Sequence, residues 1–257
     1  MKVTVMNTAQ IARKTWQLTF TGSFPYGEVQ PGQFVMIRIG SGTEHVLRRP
    51  ISIAAVKEDR LTIVFRVVGK GTQWLSERKP GDGLDVLGPL GKGYPLPHTG
   101  AGVLIVGGGI GVPPLYLLAE RVRPLVQQLD LALGFQPAAD SFWIDQFASL
   151  GNLVPAADDG SFGKKGTVID AIKLLSEGRS PKSRPWDYVY ACGPLPMLKA
   201  VKQHFAGHKV QGYVSLEERM ACGVGACCGC VCQTADRTAA KRICADGPVF
   251  DWNEVAL

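Results

Sequence analysis

A run of cysteines near the end of the chain constrains its fold more than any other feature. Cys222, Cys227 and Cys230 follow the spacing C-x4-C-x2-C, and Cys244 stands 14 residues further along. This is the plant-type spacing of thiolates that ligate a [2Fe–2S] cluster, and thiolates are the soft ligands such clusters require. The sequence therefore predicts that these four cysteines bind a [2Fe–2S] cluster.

The residues between the ligands are small, and they favour the cluster over two other cysteine-based sites. Gly223, Gly225, Ala226 and Gly229 let the backbone approach the sulfurs closely and adopt a positive φ. A structural zinc site usually has two C-x2-C pairs, and this loop has only one. A disulfide framework is typical of small secreted chains rather than of a chain of 257 residues.

Two extra thiols, Cys228 and Cys232, lie beside the loop. Cys228 is an alternative to Cys227 as a ligand. We prefer Cys227 because it preserves the x4 and x2 spacing. We expect Cys228 to be a small apolar side chain packed beneath the loop.

Length and composition predict a cytoplasmic protein of two domains and a small module. Of the 257 residues 46% are hydrophobic, which is enough for a buried core. The chain starts in strand-like alternation at Met1-Lys2-Val3, without the pattern of a signal peptide. Glycines and prolines interrupt the longest apolar run, Val103–Ala119, so we expect no membrane span. Seven cysteines, clustered near one end, indicate a reducing compartment.

The net charge of +6 raises the question of a nucleic-acid partner. The basic residues are scattered, however, and the densest basic segment, residues 179–184, has no interleaved aromatic residues. Such a segment is typical of a solvated loop. We therefore expect neither a nucleic acid nor a membrane as a partner.

Residues 1–97 show the short β runs of a small antiparallel barrel. The six predicted strands are Lys2–Met6, Trp16–Thr21, Phe34–Ile39, Ile51–Val56, Leu61–Val68 and Leu84–Leu87. A short helix is predicted over Thr72–Arg78, with Thr72 as an N-cap that makes the helix start an anion site. Arg49-Pro50, Phe65-Arg66 and Gly71-Thr72 then bring basic and helix-start groups together. From the residues alone, a phosphate-bearing cofactor and surface ion pairs both stay open.

Residues 98–210 alternate between strands and helices, which predicts a parallel sheet with helices on both faces. The predicted strands are Val103–Val106, Leu129–Phe135, Leu153–Ala157 and Tyr188–Ala191. The predicted helices are Pro113–Gln128, Ser141–Leu150, Val168–Leu175 and Pro196–Phe205.

Glycines at positions 107, 108, 109 and 111 follow the first of these strands. Val112 replaces the last glycine of the G-x-G-x-x-G dinucleotide fingerprint, but glycines still admit a pyrophosphate against the backbone. Cys192-Gly193-Pro194 ends a later strand, where open α/β sheets bind ligands. Together they predict a dinucleotide site, with a buried structural role as the alternative for Cys192.

Residues 211–257 carry the cysteine loop. Strands are predicted at Gly212–Leu216 and Val231–Thr234, and a returning strand at Arg242–Ala245 carries Cys244. No independent core is visible in this segment, so we expect the cluster to help hold it together.

Arg49-Pro50-Ile51-Ser52 resembles the R-x-x-[ST] flavin signature of the ferredoxin-reductase-like flavoproteins. The resemblance implies a six-stranded Greek-key barrel that binds FAD. It places Arg49 on the pyrophosphate and Ser52 at the reactive nitrogen of the isoalloxazine. Val64-Phe65-Arg66 and Gly71-Thr72 match the other FAD-contacting segments of that family.

The second region resembles the NAD(P)H-binding domain of the same flavoproteins, which implies a Rossmann-like fold. The resemblance places Gly107, Gly108, Gly109 and Gly111 at the dinucleotide, Cys192 beside the nicotinamide ring, and Gly193-Pro194 at the pocket wall. After the second strand, residues 134–137 contain neither an acidic residue nor an arginine pair. The preference for NAD over NADP therefore comes from the resemblance alone.

The order of barrel, nicotinamide domain and cluster module resembles the electron-transfer subunits of heteromeric, NAD-linked (class 1B) dihydroorotate dehydrogenases over the whole chain. Leu47–Ser52, Glu217-Glu218-Arg219-Met220 and Asp246–Phe250 carry this resemblance, whereas Cys228 stands where that family usually has a larger apolar residue. It implies a separate FMN-containing catalytic subunit that oxidises dihydroorotate in pyrimidine biosynthesis, in a heterotetramer of two subunits of each kind. Electrons would pass through the cluster and FAD to NAD+.

Two other functions stay open. One is a reductase subunit of another complex, such as a hydrogenase, a ferredoxin:NADP oxidoreductase or an oxygenase. The other is a non-catalytic iron–sulfur sensor with a reductase fold. The sensor predicts no bound FAD, and the other complexes predict a different partner.

Overall fold

In the computed structural model, which describes residues 1–40, 45–178 and 186–257, the first six strands close into an antiparallel barrel. Their order around the barrel is β1-β2-β5-β4-β3-β6, a Greek-key arrangement, as predicted. The strands are β1 (Lys2–Ala12), β2 (Thr15–Gly22), β3 (Phe34–Ile37), β4 (Arg49–Lys57), β5 (Arg60–Arg66) and β6 (Gly83–Leu90). Alternating apolar residues such as Val3 and Val5 fill the barrel interior.

The barrel helix, α1 (Lys70–Ser76), begins two residues before the predicted Thr72. Gly69 is its N-cap, so the prediction that Thr72 is the N-cap is wrong. The Thr72 hydroxyl instead accepts hydrogen bonds from the backbone N–H groups of Val68 and Gly69, at 3.0 and 3.3 Å. It also donates to the Gly69 carbonyl at 3.1 Å, and these bonds stabilise the turn before the helix. The contact of Thr72 with FAD stays a prediction.

The remaining elements build a seven-stranded sheet flanked by helices, together with a small C-terminal hairpin. Strands β7–β15 are Gly102–Gly108, Gln128–Phe135, Asn152–Ala157, Lys164–Lys165, Tyr188–Cys192, Gln211–Ser215, Val231–Gln233, Ala240–Arg242 and Val249–Asp251. Helices α2–α6 are Pro113–Val122, Ile144–Ala148, Val168–Glu177, Leu195–His204 and Ile243–Asp246. The sheet order is β10-β9-β8-β7-β11-β12-β15, parallel except for the β12–β15 pair.

The two faces of the sheet form two cores. Val103 and Ile105 of β7 pack with α2 on one face, and Leu104 and Val106 pack with α4 and α5 on the other, all fully buried. The continuous apolar run of β7 follows from this burial on both sides. Helix α2 ends at Val122 rather than at the predicted Gln128 because Pro124 cannot continue it.

The strand order reverses between β7 and β11. The carboxyl ends of these two strands are Gly108 and Cys192, which therefore lie together at the switch point of the sheet. Ligands of open α/β sheets bind in the crevice at this point.

The C-terminal segment is only partly separate from the sheet. Strands β12 and β15 belong to the seven-stranded sheet, whereas β13 and β14 form a two-stranded hairpin. The predicted strand at Arg242–Ala245 is wrong, since Cys244 lies on the short helix α6. Arg242 binds the Asp246 carboxylate through both its side chain and its backbone N–H, which fixes this helical turn. The division into residues 1–97, 98–210 and 211–257 stays a prediction.

Within the described ranges, no helix is long and apolar enough to cross a membrane. The basic segment at residues 179–184, interpreted above as a solvated loop, lies outside those ranges.

Candidate functional site

The four predicted cluster ligands lie as two pairs of thiols. The Cys222 thiol lies within hydrogen-bonding reach of that of Cys227, and the Cys244 thiol within reach of that of Cys230. In the part of the chain that the structure describes, no three His, Cys, Asp or Glu side chains form a group that could hold a single ion. Two pairs of thiols match a two-iron centre, in which each iron takes two thiolates in addition to bridging sulfides.

Backbone N–H groups of the loop point at these sulfurs. Gly225 donates to the Cys244 Sγ at 3.1 Å, and Val224 and Cys227 donate to the Cys222 Sγ at 3.5 and 3.4 Å. The last two bonds lower the pKa of Cys222 to about 6, which favours the thiolate that a metal binds. Burial raises the pKa of Cys244 to about 12, and a coordinated cation deprotonates such a thiol outright.

Two glycines of the loop have left-handed backbone and close neighbours. Gly223 and Gly225 have φ of +73° and +82°. A Cβ at Gly223 would lie 2.7 Å from the Cγ of Met36, and one at Gly225 would lie 2.7 Å from the Cβ of Ala245. Met36 is a buried residue of β3, so the loop packs directly on the barrel.

The prediction that Cys228 packs beneath the loop is wrong. It is exposed, and its backbone is left-handed, with a φ of +53°. Cys227 is exposed as well, whereas Cys230 and Cys244 are buried. The choice of Cys227 over Cys228 as ligand stays a prediction that rests on the spacing and on the contact with Cys222.

The two adjacent arginines before β4 have different roles. Arg48 forms an ion pair with Asp85 at 3.1 Å and donates to the Asp85 backbone carbonyl at 2.9 Å. Arg49 lies over the start of α1, where a Cβ on Gly71 would come 2.7 Å from its Nε. A Cβ there would displace this guanidinium. Arg49 Nη1 donates to the Leu47 backbone carbonyl at 2.6 Å, which holds the group beside the helix start, where its charge is suited to a phosphate.

A cavity of about 550 Å³ lies between the barrel, the sheet and the C-terminal segment. Nine of the predicted site residues line it, namely Pro50, Ser52, Arg66, Gly108, Gly109, Gly111, Cys192, Gly193 and Pro194. The side chains of Val64 and Phe65 are instead buried in the cores. Arg49, Ile51, Gly71, Thr72 and Gly107 do not line the cavity either.

Arg66 supplies a test of whether the cavity fits an anionic group. Its Nε is buried and has no hydrogen-bond partner within the described ranges. Its Nη2 lies 4.0 Å from an Asp140 carboxylate oxygen. Buried donors are almost always paired, so an unpaired guanidinium nitrogen at a cavity wall fits a phosphate-bearing cofactor such as FAD.

Asp140, which the sequence analysis did not identify, joins the barrel to the α/β domain. It accepts hydrogen bonds from Arg13 Nε and Nη2 at 2.7 and 3.0 Å. These bonds lower the pKa of the Asp140 carboxyl. The carboxylate also lines the cavity, so the same group borders the site and holds its two walls together.

At the switch point, Gly111 allows the glycine turn to touch the end of β11. A Cβ there would lie 2.5 Å from the backbone carbonyl of Cys192. Burial raises the pKa of Cys192 to about 12, while a hydrogen bond with Ser215 opposes this shift. Cys192 is therefore a neutral thiol that is both buried and at the cavity wall, so it is suited to packing against a ring rather than to nucleophilic attack.

Asp158 and Ser215, also missed, stand at the carboxyl ends of β9 and β12 and line the cavity. The rule that α/β sheets bind ligands at this edge is the signal that would have located them.

Known proteins resemble this chain along its whole length. Residues 217–256 match the iron–sulfur cluster binding domain of dihydroorotate dehydrogenase B. The chain is 45% identical to the dihydroorotate dehydrogenase B (NAD+) electron transfer subunit of Bacillus caldolyticus, over 100% of this chain and 98% of that protein. Identity to the subunit of the same name from Fusobacterium nucleatum is 43%, over 99% and 97% of the two chains.

A solved structure, of an NADH-dependent reduced ferredoxin–NADP oxidoreductase studied for flavin-based electron bifurcation, has the same fold. It superposes with a TM-score of 0.86 at 32% identity, covering 99% of this chain and 89% of that one. The full-length identity to the curated relatives shows that the chain belongs to the family of dihydroorotate dehydrogenase B (NAD+) electron transfer subunits.

Proposed function

We propose that this chain passes electrons from a partner FMN-containing dihydroorotate dehydrogenase subunit, through a [2Fe–2S] cluster and FAD, to NAD+. The reaction serves pyrimidine (UMP) biosynthesis in the cytoplasm, within a heterotetramer of two subunits of each kind. Membership of the family and the iron–sulfur domain at residues 217–256 support this proposal.

One observation carries the proposal: the three predicted cofactor regions are neighbours in the fold. Gly223 of the cluster loop packs on Met36. Met36 pairs in register with Pro50, which belongs to the flavin signature. Pro50 lines the same cavity as Cys192, at the predicted nicotinamide site. The cluster loop therefore packs on the strand beside the flavin signature, and the flavin signature shares one cavity with the predicted dinucleotide site.

FAD, when bound, supplies the chemistry that links a two-electron nicotinamide to a one-electron cluster. The residues of this chain bind the cofactor and orient it. Arg49 and Arg66 provide positive charge for phosphates, and Ser52 presents a hydroxyl at the cavity wall. Cys192, kept neutral by burial, excludes water beside the ring without reacting with it.

Dihydroorotate oxidation is assigned to the partner, because the relatives are named as electron transfer subunits of the dehydrogenase. The 32% identity to the NADH-dependent ferredoxin–NADP oxidoreductase favours one second candidate, a subunit of a complex of that type. The two candidates differ in the partner that binds the chain.

Anaerobic purification from the native source tests the proposal. We expect an FMN-containing subunit to co-purify, and the complex to reduce NAD+ with dihydroorotate as electron donor. The isolated chain should reduce an artificial dye with NADH but should not oxidise dihydroorotate. Co-purification of a different electron-transfer partner, with no dihydroorotate-dependent NAD+ reduction, would contradict the proposal, and a chain without FAD would favour the sensor.

A further inference from the structure

Strand β3 of the barrel turns one of its faces outwards. Val35 and Ile37 belong to the core inside the barrel. Phe34 and Met36 belong instead to the core that the sheet shares with the C-terminal segment. Alternate residues of a strand share a face and lie about 7 Å apart. Phe34 and Met36 are therefore buried neighbours on the outer face of β3.

These two side chains meet different cofactor regions. Phe34 lines the cavity and pairs in register with Ser52 of the flavin signature. Met36 meets the cluster loop, where a Cβ on Gly223 would lie 2.7 Å from the Met36 Cγ and 3.1 Å from its Sδ. One face of one short strand therefore borders both the predicted flavin site and the predicted cluster site.

Gly223 lies among the predicted ligands of the cluster. It follows Cys222 directly, and the backbone N–H of the next residue, Val224, donates to the Cys222 Sγ at 3.5 Å. Close-packed interiors transmit strain from one residue to the next. A displacement of Gly223 against Met36 would therefore move the Cys222 sulfur.

We propose that Met36 is a positioning residue for electron transfer, because it holds the cluster loop at a fixed separation from the flavin across the outer face of β3. Each transfer moves one electron from the reduced cluster to the flavin. Two transfers and one proton from water make up the hydride that NAD+ accepts. Met36 is neither oxidised nor reduced, and its unbranched side chain fills the gap beneath Gly223. This inference rests on the proposed function, because it takes the cluster and FAD as the redox partners.

The test exchanges volume between the cluster loop and β3 in the holoprotein. Gly223→Ala adds a Cβ that meets Met36. We expect it to slow electron transfer from NADH-reduced flavin to the cluster several-fold, as measured by rapid-freeze electron paramagnetic resonance. Met36→Ala removes the Cγ, Sδ and Cε atoms that this Cβ would meet. Adding it to Gly223→Ala should therefore restore most of the lost rate, whereas Met36→Leu, which keeps the Cγ, should not.

Gly225→Ala is the matched control. Gly225 has a φ of +82°, close to the +73° of Gly223, so alanine is strained to a similar extent at both positions. A Cβ on Gly225 would instead meet the Cβ of Ala245, at 2.7 Å. Met36→Ala should therefore not rescue Gly225→Ala. Where an alanine lowers the cluster content, iron and acid-labile sulfide per chain should show the same pattern of rescue.

Three results would overturn the role of Met36 and leave the proposed function standing. They are rescue of both glycine variants by Met36→Ala, rescue of neither, and a Gly223→Ala protein that matches wild type in rate and in cluster content. If the NADH-reduced flavin of the wild type passed no electron to the cluster, the proposed function would fail instead. The cluster content of the variants would still decide whether Met36 positions the loop.

Discussion

Replacing Asp140 by asparagine removes the carboxylate that joins the barrel to the α/β domain. In the wild type this group is 6% exposed and accepts two hydrogen bonds from Arg13, at 2.7 and 3.0 Å. Hydrogen bonds to charged groups contribute about 1.5–3 kcal/mol. Arg13 is 60% exposed, so solvent screens the pair. An asparagine oxygen keeps one weaker hydrogen bond to Arg13. We therefore expect Asp140→Asn to lower the free energy of unfolding by about 2 kcal/mol.

The assay is thermal unfolding of the holoprotein. For a chain of this size, each kcal/mol lowers the Tm by about 2–4 °C, so Asp140→Asn should melt about 4–8 °C below wild type. Glu28→Gln, which neutralises an exposed carboxylate, is the control and should melt with wild type. Adding Arg13→Gln to Asp140→Asn should lower the Tm little further, because the two side chains act as one pair.

The pH dependence follows from the lowered pKa of Asp140, whose main cause is the hydrogen bond from Arg13. A carboxyl whose pKa is lowered in the folded state stabilises the fold fully at pH values above its ordinary pKa of about 3.9. This stabilisation is lost as the pH falls through the pKa of the folded state. The Tm difference between wild type and Asp140→Asn should therefore be the same at pH 7 and at about pH 5 and shrink below about pH 4. An Asp140→Asn protein that melts with Glu28→Gln at pH 7 would refute the reasoning.

Two further predictions concern the cofactor sites. Gly71→Ala should displace Arg49 and lower the FAD content several-fold, as Arg49→Ala should. The control Gly69→Ala, whose Cβ would meet nothing within 4 Å, should retain the flavin. Acid-released flavin per chain measures the FAD content, and equal content in the two glycine variants would contradict the prediction. Cys227→Ser should lose the cluster and Cys228→Ser should keep it, as measured by iron and acid-labile sulfide. Loss of the cluster in Cys228→Ser would show that the ligand assignment is wrong.

The sequence predicted the features that depend on neighbours in the chain. Hydrophobic alternation predicted the barrel, because one face of each strand is buried. Apolar runs that alternate with helical segments predicted the parallel sheet, because its strands are buried on both faces. The cysteine spacing and the flavin signature are likewise local patterns. Cys192 and Gly193 were located because strand ends at a sheet edge bind ligands.

Features set by backbone conformation or by distant partners were harder to predict. Thr72 has the chemistry of an N-cap, but the turn from Val68 shifts the helix start. Cys228 is apolar enough to pack, but it is exposed and lies at a left-handed position of the loop. Asp140 meets Arg13 across 127 residues of sequence, and no local pattern signals that contact.

The central claim is that one chain connects a nicotinamide to an iron–sulfur centre through a flavin. An anaerobic titration of the isolated protein with NADH, followed by absorbance and electron paramagnetic resonance, tests it most directly. We expect the flavin absorbance to bleach and the signal of a reduced [2Fe–2S] cluster to appear with it. A protein whose flavin and cluster both stay oxidised, or whose flavin bleaches while the cluster receives no electron, would contradict the account.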